Sequence, residues 1–135
     1  MPPSSPRPPR PQDVAKLFAL MDSWPKSWAG SAADIPVGEG LVAELRPFIR
    51  HLYERGLSPK TIRRHLDNTW VIGGEIIRIV VEEPKRRKTH PRQLLLDAID
   101  LAEAPLAWGA SEQEQRSFDA TARRLLRFLN SSPQP

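Results

Sequence analysis

Apolar side chains recur at helical spacing in five separate segments of the chain. Val14, Leu17, Phe18 and Met21 form one stripe, which predicts a helix over about 12–23, ended by Trp24-Pro25. A loop is expected to follow through about Gly38, flanked by Trp24 and Trp28 as packing anchors. Leu41, Val42, Leu45, Phe48, Ile49 and Leu52 predict a second helix over 39–55. Pro47 falls inside it, removes one hydrogen bond and crowds the preceding turn, so a kink or a restart is expected there.

The third helix is expected to start at Pro59 and run to 81 or 82, with Ile62, Leu66, Thr69, Trp70, Ile76, Ile77 and Val80 on its apolar face. Gly73-Gly74 lies in its middle, and each glycine costs ~1 kcal/mol relative to alanine. Two readings stay open: one helix whose glycines permit close packing, or two helices broken at the glycines. Residues 76–81 are strand-like by propensity, yet a lone strand has nothing to pair with, so helix is favoured. Thr89 is placed as the N-cap of a fourth helix to about Glu103, buried through Leu94, Leu95, Ala98, Ile99 and Leu101. A turn over 105–109 leads to Ser111-Glu-Gln-Glu114, the pattern of a capping box. The fifth helix then runs to about Leu129 with Phe118, Ala122, Leu125, Leu126 and Leu129 inward. The expected fold is all-α: a small orthogonal bundle of about five helices in one domain, 12–130. A proline-rich tail over 1–11 and a short tail over 131–135 are expected to be disordered.

Length and composition narrow the class. A chain of 135 residues fits one domain that buries roughly two-thirds of its unfolded surface. The absence of cysteine excludes disulfides and thiolate metal sites. No apolar run approaches the roughly 18–20 residues of a membrane span, and no hydrophobic signal core opens the chain, so a cytoplasmic location is expected. The net charge is +4, and its distribution matters more than its total. Residues 58–92 carry nine Lys or Arg against four Asp or Glu, a net of +5, whereas residues 93–135 carry four against six, a net of −2. Such an asymmetry favours a polyanionic partner.

The segment 48–66 holds the most informative local pattern. Gly56 sits where a helix C′ residue must turn left-handed. Ser58 suits the N-cap of the next helix, and Pro59 falls at its first position, where a missing N–H is harmless. Leu57 tucks between the two helices. The second helix then presents Lys60, Arg63 and Arg64 to solvent, with Ile62 and Leu66 inward. Over about residues 41–70 the chain resembles the N-terminal SAM-like, core-binding domain of tyrosine recombinases of the phage-integrase type. Those domains carry a similar Gly-Leu-Ser-Pro-Lys-Thr junction followed by paired basic residues. The junction is also similar to that of helix-turn-helix regulators of the quorum-sensing type. Both resemblances imply a SAM-like or helix-turn-helix contact with double-stranded DNA, here through Lys60, Thr61, Arg63 and Arg64.

The recombinase resemblance stops short of an active site. Tyr53, the one tyrosine, lies inside a helix of the matched segment, and none of His51, His65 and His90 is followed three residues later by arginine. The remaining 65 residues after Trp70 leave no room for a catalytic domain, so a binding domain without its enzyme is expected. The repeated Arg50-His51-Leu52 and Arg64-His65-Leu66 show no metal-ligand spacing. No phosphate-binding glycine loop, nucleophile elbow or zinc pattern is present. The chain is therefore read as non-enzymatic, without cofactor or metal.

A second basic cluster, Lys85-Arg86-Arg87-Lys88 with Arg92, lies just before the fourth helix. Clustered cations release counterions from a nucleic-acid backbone, and a helix N-terminus favours phosphate. This cluster is expected to share one phosphate-binding face with Lys60, Arg63 and Arg64. Arg123, Arg124 and Arg127 are expected to be surface charges balanced by Glu112, Glu114 and Asp119 and favoured by a helix C-terminus. The functional expectation is a non-catalytic DNA-binding protein with a link to DNA recombination. The alternative is a protein-interaction module, antitoxin-like or an accessory subunit, on the same helical fold.

Overall fold

The computed structural model describes residues 11–101 and 111–131. Most of the proline-rich tail, the turn expected at 105–109, the expected helix end at Glu103 and residues 132–135 lie outside the described residues. Six α-helices follow one another: α1 (Pro11–Asp22), α2 (Trp24–Trp28), α3 (Ile35–Glu54), α4 (Pro59–Glu82), α5 (Pro91–Leu101) and α6 (Glu112–Ser131). Two 3-10 turns, Ala32–Asp34 and Pro84–Lys88, join them, and no strand occurs among the described residues. The fold is a small all-α bundle.

The α3–α4 hairpin is its frame. Leu41, Leu45, Phe48, Ile49 and Leu52 of α3 are at most 1% exposed, as are Ile62 and Leu66 of α4. Each such side chain gains roughly 1.5–3 kcal/mol on burial. α3 packs against α1, α2, α4 and α5, and α4 against α2, α5 and α6. The hairpin turn is a Schellman motif. Gly56 has φ +77°. Its N–H donates to Tyr53 O, and the Leu57 N–H donates to Leu52 O at 3.3 Å. Ser58 Oγ accepts from the Thr61 N–H at 3.2 Å, with Pro59 at the start of α4. Both helix ends are satisfied by the residues that the sequence places there.

α4 is one helix. It runs without a break through Gly73-Gly74, and the strand-like residues Ile76, Ile77 and Val80 are buried on its inner face. The glycines make room for Trp28. A Cβ on Gly73 would lie within 2.9 Å of Trp28 Cε2 and nearer still to Cζ2 and Cη2, whereas one on Gly74 would sit 3.5 Å from Cδ1. Trp28 Nε1 donates to Trp70 O at 3.0 Å, and Trp70 Nε1 donates to Ser27 Oγ at 3.2 Å. Trp24 stacks at a tilt on Trp28, with centroids 5.5 Å apart.

Three local expectations need correction. Trp24-Pro25 ends α1 but also opens the short helix α2, because proline is tolerated in a first turn. α3 starts four residues early, at Ile35, and continues through Pro47, whose ring faces solvent instead of forcing a restart. Thr89 is not the N-cap of α5. It closes the 3-10 turn before it, and His90 Nδ1 accepts the Arg92 N–H at 3.1 Å. The capping box at α6 forms as read: Glu114 N–H to Ser111 Oγ at 3.1 Å and Ser111 N–H to Glu114 Oε1 at 3.2 Å.

Two substitutions in adjacent residues separate packing from propensity. Gly73→Ala should destabilise by ~1–3 kcal/mol despite alanine's better helix propensity, since its methyl overlaps the Trp28 ring. Gly74→Ala should be neutral or stabilise by up to ~1 kcal/mol. Urea unfolding of both variants measures the contrast, and equal effects would mean that Trp28 does not rest on Gly73. Leu66→Ala should cost ~2–5 kcal/mol by the same measurement, because Leu66 is only 1% exposed.

Candidate nucleic-acid interface

Lys60, Arg63 and Arg64 lie exposed on the first two turns of α4, and Thr61 beside them is half-buried and hydrogen-bonded to Ser58. Arg63 pairs with Asp67 one turn on, at 3.3 Å. Lys60 and Arg64 have no carboxylate partner among the described residues.

The second basic cluster is elsewhere. It follows the C-terminus of α4, which lies roughly 27–33 Å along the helix axis from Arg64 and Lys60 at 1.5 Å per residue. The two clusters therefore do not merge into one compact patch. Within the second, the cations divide by partner. Arg86 bridges Glu83 at 2.8 Å and Asp97 at 3.6 Å. Arg87 reaches back to Asp34 at 3.1 Å. Asp34 is 1% exposed and also accepts the N–H groups of Gly30 and Ser31. Burial pushes its carboxyl up, but Arg87 and the two backbone donors outweigh that and hold it below the usual carboxylate range. Only Lys85 and Lys88 stay exposed without an ion-pair partner among the described residues. Arg92 is corrected from a surface contact to a core residue: it is 6% exposed and donates to Leu129 O of α6.

The face of α4 beside its basic start carries a polar seam to α6. His65 is 4% exposed, and its Nδ1 lies 2.6 Å from Thr121 Oγ1. Thr121 Oγ1 also lies 3.2 Å from Ser117 O and accepts from Asn68 Nδ2 at 2.8 Å. The short contact to His65 Nδ1 joins the same hydroxyl to the buried ring. Burial, followed by the charges of Arg124 and Arg64, lowers the His65 pKa to about 4. A neutral ring thus lies in the field of two cations from different helices.

The sequence gives no sign that Arg64 and Arg124 act on one ring, and α6 departs from the expectation for its arginines. Glu112 pairs with Arg116 at 3.6 Å, Glu114 is held in the capping box, and Asp119 accepts from Gln115 Nε2 at 2.9 Å. None forms an ion pair with Arg123, Arg124 or Arg127. The last turn of α6 holds no basic residue, so the helix dipole does not account for them either. A signal was available: after Asp119 the helix carries three arginines and no acid.

An open groove of about 760 Å3 lies between α4 and α6, with Asn68, Val71, Ser117 and Phe118 among its lining. Among the described residues no group of His, Asp and Glu is set to hold a metal, and no helix is long and apolar enough to cross a membrane. No family model matches the chain, and no curated protein or solved structure matches it significantly.

The buried imidazole has a consequence for stability. The folded pKa lies below the ordinary value of 6.5, so the unfolded chain takes up the proton first on acidification. The stabilising contribution is complete above about pH 6.5 and declines until about pH 4. Its ceiling is roughly 3 kcal/mol, from 1.36 kcal/mol per pKa unit. Asp34 adds a loss of the same sign below its ordinary value of 3.8. Urea unfolding across this range should show the wild type losing stability between these limits and His65→Gln losing distinctly less. Parallel pH profiles for the two would show that His65 does not report its burial.

Proposed function

We propose that the chain is a non-catalytic DNA-binding protein that contacts backbone phosphates through the basic start of α4. The observation that carries this reading is the pair Lys60 and Arg64: exposed, without carboxylate partners among the described residues, and held on a capped helix start that follows a tight Schellman turn. An unpaired cation on a rigid element meets a phosphate with little ordering cost, and the released counterions drive binding. The resemblance of residues 41–70 to the core-binding domain of tyrosine recombinases supports the same surface. On that resemblance the role would lie in DNA recombination, without the cleavage chemistry. Phosphate contacts position a protein on a duplex without reading sequence, so affinity should extend to unrelated sequences.

A protein-interaction module is the competing reading. The open groove between α4 and α6, with Val71 and Phe118 in its wall, favours it. So does the commitment of Arg86 and Arg87 to intramolecular pairs, which makes half of the loop's cations structural. Tight association with a co-purifying protein, without duplex affinity, would support this reading over the first.

A salt titration decides between them. Duplex affinity of the purified chain should fall steeply with salt. Lys60→Ala with Arg64→Ala should flatten the log–log slope by about one to two units, near 0.9 per phosphate contact, while leaving the helical circular dichroism intact. A wild-type chain without duplex affinity at low salt would remove the DNA reading.

A further inference from the structure

Arg123, Arg124 and Arg127 have no ion-pair partner among the described residues. Every acid of α6 is engaged elsewhere, and the helix continues past them to Ser131. Arg123 and Arg127 lie exposed one turn apart, and Arg124 is half-buried on the side towards α4. Their position is fixed. Thr121, one turn before Arg124, is hydrogen-bonded to His65 and Asn68 of α4. Asn68 holds Ser117 as well, at 3.1 Å. This network anchors the middle of α6 on the first three turns of α4. It leaves Arg124 and Arg64 near enough to the same ring to act on it together.

Like charges that outnumber the acids beside them repel, and an external polyanion offsets that repulsion. An acidic protein segment would do so at one point. Here the cations come from two helices clamped together, and they extend along α6 over more than one turn. Backbone phosphate, a repeated charge on a stiff rod, suits such a spread better than a single carboxylate cluster does.

We propose that Lys60 and Arg64 of α4 and Arg123, Arg124 and Arg127 of α6 form one phosphate-binding surface for duplex DNA, with α6 supplying its larger share. The inference rests on the DNA-binding reading above and extends it to a helix outside the recombinase-like segment. It also sets apart the 85–88 loop, whose arginines are occupied by Glu83, Asp97 and Asp34.

The test is a salt titration of the full-length chain on a short duplex of arbitrary sequence, read by fluorescence anisotropy. The triple variant Arg123→Ala, Arg124→Ala, Arg127→Ala should flatten the slope by about two to three units, near 0.9 for each lost contact. The triple arginine-to-lysine variant should keep most of the slope. Lys85→Ala with Lys88→Ala should change it by less than about one unit. The alanine triple should keep the helical circular dichroism of wild type, so that a flatter slope reports lost contacts with the duplex. Wild-type binding with a slope that the alanine triple leaves unchanged would overturn this inference and leave the DNA reading standing. So would an equal or larger loss in the Lys85/Lys88 variant. No duplex affinity in the wild type at low salt would overturn both.

Discussion

The indole of Trp28 against Gly73 is the constraint on which the rest of the bundle depends. α4 must present bare backbone there, since a Cβ would fall within 2.9 Å of the ring. Trp28 Nε1 in turn finds a carbonyl at Trp70, and Trp70 answers through Ser27. The clasp ties α2 to the middle of α4 while the Gly56 turn ties the end of α3 to its start. α3 is thereby fixed along α4, and α5 and α6 can close over the remaining face. The glycine pair costs helix propensity at two positions, ~1 kcal/mol each. The aromatic contact and two hydrogen bonds offset that cost. Trp70, 43% exposed, belongs to this clasp and not to an unpartnered apolar patch.

Much of this was legible in the sequence because it is local. The apolar stripes recur within one element. The Schellman turn at Gly56, the Ser58 cap and the Ser111 capping box each involve residues a few positions apart, and all three form. Where local chemistry misled, an adjacent residue took over the role, with His90 in place of Thr89 as acceptor at the head of α5. The Gly73-Gly74 question could not be closed from the sequence, because the answer lies 45 positions away at Trp28. Propensity alone gives the cost of the glycines and is blind to what they admit.

Charge was the least legible property, for the same reason. A run such as Lys85-Arg86-Arg87-Lys88 looks uniform on the page. The fold divides it through partners at Asp34 and Asp97, one of them 53 residues distant. Arg92 disappears into the core on a carbonyl 37 residues away. The reverse holds on α6, where acids that seemed to balance Arg123, Arg124 and Arg127 turn out to be engaged with Arg116, Ser111 and Gln115. Net charge over a segment therefore overstated one cluster and hid another. What decides whether a cation can serve a ligand is whether the fold has already used it.

His65 shows how the packing and the charge are joined. A side chain at that position must be buried, because it lies on the α6-facing side of α4, and polar, because it meets the Thr121 hydroxyl. A neutral imidazole meets both demands. The charges of Arg64 and Arg124 help to keep the same ring unprotonated. Acidification would set two effects against each other at this one group: a third positive charge in the seam, which strengthens attraction to a polyanion, and a desolvated cation among like charges, which weakens the contact between α4 and α6. Since the proposed surface needs those helices held together, the packing term sets the limit. The seam can hold its cations only as long as the histidine in their field is not one of them.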